Sequence, residues 1–201
     1  MWHIFFSRKD KAGFLKVIKL YITALITLLV SCNSVSEQEK VEPDKGDLFL
    51  ISNLYRQALL SLKACDEALT RSTYVETKNL AYDIKTSHAK VKIDIEALAG
   101  RKDFELPLDI TATQLKSWQE LVKKKGLEFD RVFLQLITHI NNTEHALIDK
   151  IVAEAKDVEF KKAGNNVLAD ISSKEELTKQ VQQLTRQTIA KDSIAKPATY
   201  K

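Results

Sequence analysis

Glycine and proline are scarce in this chain, five and three residues in 201, and that scarcity limits the fold more than any motif does. Both residue types end helices and shape tight turns. A chain that nearly lacks them, and whose apolar residues recur three or four apart, reads as long amphipathic helices. The spacing predicts a first helix from about Asp47 to Thr70, with Ile51, Leu54, Tyr55, Ala58, Leu62, Cys65 and Leu69 on one stripe. Thr73-x-x-Glu76 has the form of a capping box that opens a second helix. Its stripe is Leu80, Ala81, Ile84, His88, Val91, Ile95 and Leu98, with Gly100 as C-terminal cap. The short link at Arg71–Thr73 makes these two helices an antiparallel hairpin.

Residues 101–109 form a loop around Pro107, followed by a short helix with Leu115, Trp118, Leu121 and Val122 that stops near Gly126. A long helix from about Glu128 to Lys156 buries Phe129, Phe133, Leu136, Ile140, Leu147 and Ile151. A last helical region runs from Val158 to about Ala190, with a break expected near Ile171–Ser173. It contributes Phe160, Val167, Leu168, Leu177, Val181 and Leu184. The fold class is therefore all-α, a bundle of four main helices and one short extra one. Residues 47–190 are its domain, and residues 191–201 a frayed tail.

The amino-terminal segment has a different character. Arg8, Lys9, Lys11, Lys16 and Lys19 precede an uncharged apolar run, Leu20–Val30. This run has the length of a signal-peptide core and falls short of the roughly 20 apolar residues that span a bilayer. The run closes on Leu29-Val30-Ser31-Cys32, which resembles a bacterial lipoprotein signal. The resemblance implies cleavage after residue 31 and lipidation of Cys32, hence a membrane partner. With Asn33 next to that cysteine, it also implies a lipid-anchored place in the envelope at the outer membrane. Residues 32–46 are polar, contain Pro43 and read as a flexible tether. Removing residues 1–31 takes away five of 31 basic and one of 27 acidic residues, leaving 26 of each. That balance gives no electrostatic footprint for nucleic acid. Cys65 is then an unpaired cysteine, expected to pack as a small buried hydrophobe.

Several segments together resemble the family known as domain of unknown function 4142, described as outer-membrane, ferritin-like helical proteins. They are Leu80-Ala81, Ser87-His88, Glu96-Ala97-Leu98-Ala99, Leu106-Pro107, the Gln114–Leu121 helix and Gly126-Leu127-Glu128-Phe129-Asp130 with Phe133. The resemblance implies a four-helix, ferritin-like bundle and no assigned activity. It also implies a glutamate where this chain has Ser61, a histidine where it has Asn141, and a last-helix histidine where there is none after His145. Of that polar set His88 remains.

A ferritin-like dimetal centre needs Glu-x-x-His, whose i, i+3 spacing turns both ligands to one metal. Lys85, Leu136 and Asn142 stand at that spacing before His88, His139 and His145. No cofactor is predicted, and no catalytic residue stands out. His88 lies within a core stripe, so the first expectation is a buried histidine bonded to a neighbouring helix. The second is a small ligand or metal site shared with Asn141 or Glu144. His139 and Asn141 flank the apolar stripe on opposite sides, and His145 is expected in solvent. Asp130 is expected to stabilise the positive end of its own helix. Phe129, Pro107 and Trp118 are read as structural. The function expected is a lipid-anchored binding or structural module with an envelope protein partner. The alternative is a ferritin-like metal-binding or redox protein centred on His88.

Overall fold

The computed structural model describes residues 43–195, with side chains through residue 187. The leader, Cys32 and most of the tether lie outside those residues. Five helices follow one another: α1 (Lys45–Arg71), α2 (Val75–Lys102), α3 (Ala112–Val122), α4 (Gly126–Glu154) and α5 (Val158–Ala195). No described residue is in a strand, and no described helix is long and apolar enough to cross a membrane.

The connection pattern follows from which helices touch. α1 packs on α2 and α4, and α5 packs on α4 and α2, so α2 and α4 face each other across a diagonal. The start of α1 meets the end of α4 through Asp47, while the start of α4 meets the α1–α2 turn through Asp130. α4 therefore runs parallel to α2, and residues 103–125 must climb the full height of the bundle. They do so over α1 and α4, where α3 packs. Phe104 and Leu106 anchor the lower end of this crossover. Arg71 fastens the upper end, donating to the carbonyls of Val122 (2.6 Å) and Lys124 (2.8 Å). One long crossover between two antiparallel hairpins is the ferritin-like arrangement.

Each hairpin turn is held by a carboxylate from the opposite hairpin. Asp130, fully buried on α4, accepts hydrogen bonds from the Ser72 and Thr73 hydroxyls and from the Thr73 N–H. Asp47, 3 % exposed on α1, accepts the backbone N–H groups of Lys156 and Asp157 at 3.0 Å each. Buried carboxylates and turn amides each need such partners, so each satisfies the other. Laying Asp47 on Asp130 also lays buried Leu54 on Ile137, Ser61 on Glu144, Ile84 on Val167 and His88 on Ile171. The two hairpins are thus built to one burial pattern. Gly164 falls on Ala81 in this register, and a Cβ there would stand 3.0 Å from Ile151 Cγ2, so glycine lets α5 close onto α4.

Several local expectations are corrected. Thr73 does not cap α2, because Asp130 takes both its hydroxyl and its amide; Tyr74 holds the N-cap position. Asp130 accordingly serves the neighbouring turn rather than its own helix end. Gly100 lies inside α2, which ends with Asp103 in the left-handed region at φ 56°. Asp tolerates that conformation, and the Phe104 N–H closes back on the Ala99 carbonyl at 3.2 Å. Gly126 does have positive φ, +56°, but it opens α4. α5 runs through Ile171–Ser173 without a break, since Ile171 is 1 % exposed and packed in the core. Leu115 and Leu184 turn outward, at 38 % and 50 % exposed. Trp118 is half-buried at the core edge, with the Lys63 ammonium 5.8 Å from its ring centre.

Candidate functional site

The core is two apolar clusters rather than one. The upper holds Leu80, Ile84, Phe129 and Phe133, and the lower Leu54, Ile95, Ile151 and Phe160. Between them lies a polar level with Ser61 on α1, His88 on α2, and Asn141 and Glu144 on α4. None of the four is more than 2 % exposed. The core stripes of α2 and α4 place His88 and Glu144 inward, since each sits one or two turns from isoleucines that are fully buried, Ile84 and Ile95, Ile140 and Ile148.

His88 reaches Glu144 across the diagonal. Its Nε2 lies 3.1 Å from both Glu144 oxygens, and its Nδ1 lies 2.9 Å from the Ile84 carbonyl. A carbonyl only accepts, so Nδ1 carries a hydrogen. Nε2 and the carboxylate share a second proton, which makes the pair either imidazolium with carboxylate or imidazole with carboxylic acid. Burial works against the charged imidazole, but Glu144 and the Ile84 carbonyl outweigh it and hold the His88 pKa above its ordinary value. Asp170 on α5 adds to that attraction. It is partly buried beside the site and accepts a 2.8 Å hydrogen bond from Ser87. Cys65 on α1, one turn above Ser61, is buried and free; burial pushes its thiol up to about 12, with Glu144 contributing.

The expected trio is therefore brought to one level, in unequal roles. His88 and Glu144 bond directly. Asn141 is buried one turn away on α4, and its Nδ2 meets no hydrogen-bond partner. His139 is exposed. His145 is not simply in solvent: it is half-buried between α4 and α5, with Nε2 3.2 Å from a Glu175 oxygen. Sequence reasoning passed over Asp47, Ser87 and Asp170. Asp47 and Ser87 are polar residues at buried positions, which is the signal that could have found them, while Asp170 is only partly buried. Among the described residues no group of three or more His, Cys, Asp or Glu side chains is arranged to hold a metal.

Two antiparallel hairpins, one long crossover and a single His–Glu pair across the centre define a ferritin-like helical bundle with a closed polar waist. The chain belongs to the family described as domain of unknown function (DUF4142), which it matches over residues 32–184. No curated protein matches it. Two solved structures share its fold. A DUF305 fragment from Deinococcus radiodurans has a TM-score of 0.63 at 15 % identity, covering 70 % of this chain and 97 % of that one. CopM in its Cu(II)-bound form has a TM-score of 0.58 at 15 % identity, covering 68 % and 95 %. At that identity the likeness is one of fold.

Proposed function

We propose that this protein is a lipid-anchored envelope module that works through its outer surface, as a binding or structural element, and not through chemistry in its interior. The observation that carries this reading is the mutual engagement of His88 and Glu144, the two ionisable groups of the polar waist, beside an Asn141 Nδ2 that meets no hydrogen-bond partner. Both nitrogens of His88 and both oxygens of Glu144 are engaged with each other or with backbone. The groups best suited to bind or react are thereby spent on joining α2 to α4.

The anchor rests on the sequence: a basic start, the uncharged run Leu20–Val30, and Cys32 after small Ser31. In this reading acyl chains on Cys32 hold the protein at the outer membrane, where two or more chains give stable attachment. The segment from Asn33 to the start of α1 gives the bundle a reach of about 40 Å when extended. Cys32→Ser should move the protein from the membrane fraction to the soluble fraction of its host. Equal membrane recovery of the variant and the parent would defeat the anchor.

The copper in CopM belongs to that protein. A comparable site here, with metal on His88, Asn141 and Glu144, would require His88 to give up its bond to Glu144. Metal analysis of the purified chain is expected to give the same content for the parent and for His88→Ala. Stoichiometric iron, zinc or copper that vanishes with His88 would replace the surface reading with the metal-binding one.

A further inference from the structure

Two polar atoms of the waist are left over once His88 and Glu144 have joined. Asn141 Nδ2 on α4 and Ser61 Oγ on α1 are buried without a hydrogen-bond partner, in residues 1 % and 0 % exposed. The bonds at the turns fix how these residues stand to each other. Ser72 bonds Asp130; eleven residues back along α1 from Ser72 is Ser61, and eleven residues forward along α4 from Asp130 is Asn141. The bond of Asp47 to the Lys156 amide at the other end gives the same register to within one residue. Because α1 and α4 run antiparallel and pack on each other, the two orphaned atoms share one level of the interior. The side chains around them supply no partner. Ala58 and Ala64 on α1, and Ile137 and Ile140 on α4, are apolar and fully buried. The Ser61 hydroxyl stands close enough to the Cys65 thiol to favour its charged form, but sulfur is a weak hydrogen-bond partner. A buried donor left alone is costly, and folded proteins rarely keep one.

We propose that the waist binds a single buried water between α1 and α4, which accepts a hydrogen bond from Asn141 Nδ2 and donates one to Ser61 Oγ. Water suits this pair of groups better than any charged ligand does. Asn141 Nδ2 offers only N–H donors, which turn a cation away. An anion would meet the buried Glu144 carboxylate, one turn further along α4. A water brings both lone pairs and hydrogens, and polar groups that stand too far apart for a direct bond are commonly joined through one. The pairing of a short serine with an asparagine leaves that separation between two helices in contact. The site also has a structural consequence. The polar links of α1 to α4 and its flanking turn lie at the two ends, through Asp47 and through Asp130 with Ser72. The water would tie the same helices at mid-height, as His88 and Glu144 tie α2 to α4. The inference goes beyond the anchored-module reading and stands whether or not Cys32 carries lipid.

The test uses the full chain in detergent. A crystal structure of the parent should show an ordered water oxygen within about 3.2 Å of both Asn141 Nδ2 and Ser61 Oγ. In solution, oxygen-17 relaxation dispersion reads long-lived water oxygens and is blind to exchanging hydroxyl protons. Its amplitude should fall by the contribution of about one water in Asn141→Leu, whose branched apolar side chain needs no partner and can fill the water's place. If that variant folds poorly, the crystal structure of the parent decides alone. A direct bond between the Asn141 and Ser61 side chains, an ion in place of the water, or an amplitude unchanged in a folded Asn141→Leu would each overturn the proposal.

Discussion

Replacing His88 with leucine should destabilise the bundle by about 3–5 kcal/mol, because it leaves a buried carboxylate without its partner. Glu144 is fully buried, and in the structure its oxygens meet His88 Nε2 at 3.1 Å. The double variant His88→Leu/Glu144→Leu should recover most of that loss, since apolar replacement of a buried pair is often neutral. The pair also makes a signed prediction about pH. The folded His88 pKa is raised, so its stabilising contribution is full below the unfolded value of about 6.5 and is lost as pH rises through the higher folded value. Urea denaturation across about pH 5 to 9 should therefore show the parent losing stability toward alkaline pH relative to the double variant. Cys65 from α1 and Asp170 from α5 are the other ionisable groups near the pair. Parallel pH profiles for the two proteins would refute a proton held between His88 and Glu144.

Asp130→Ala should cost about 2–4 kcal/mol, because the buried Ser72 hydroxyl and the part-buried Thr73 hydroxyl and amide lose their shared acceptor. The effect should be local before it is global. Amide exchange at Thr73, in the turn, should accelerate more than exchange at Ala81, inside α2. Asp130→Asn keeps one acceptor oxygen and should fall between the parent and the alanine variant. An alanine variant within about 0.5 kcal/mol of the parent would mean that the turn does not depend on this carboxylate.

How far the sequence could be read follows from what each residue answers to. Helix positions answer to local spacing, and the seven-residue stripe from Leu80 to Leu98 is buried throughout. The level of the site was legible for the same reason: a histidine in that stripe has nowhere to point but inward. Its partner was only narrowed down, to Asn141 or Glu144, because the spacing along α4 places both on the inner side while the choice depends on distance across the bundle. The failures share one cause. Thr73 has the local form of a helix cap, and Asp130 that of a helix-end charge, yet each is committed to the other through a contact 57 residues away in sequence. Gly100 looked like a stop, but Asp103 could take the left-handed position and so let α2 run on. Ser172 and Ser173 looked like a break, and the buried Ile171 beside them holds the helix straight.

The exchange of carboxylates between hairpins has a bearing on how the domain comes apart. Each bend takes a buried carboxylate from the other hairpin in addition to its own local hydrogen bonds: α1–α2 borrows Asp130, and α4–α5 borrows Asp47. Prying one pair of helices loose therefore unlocks the bend of the other at the same moment. A protein tied in this crosswise manner has few half-open forms to visit, and under stress it would rest either whole or undone.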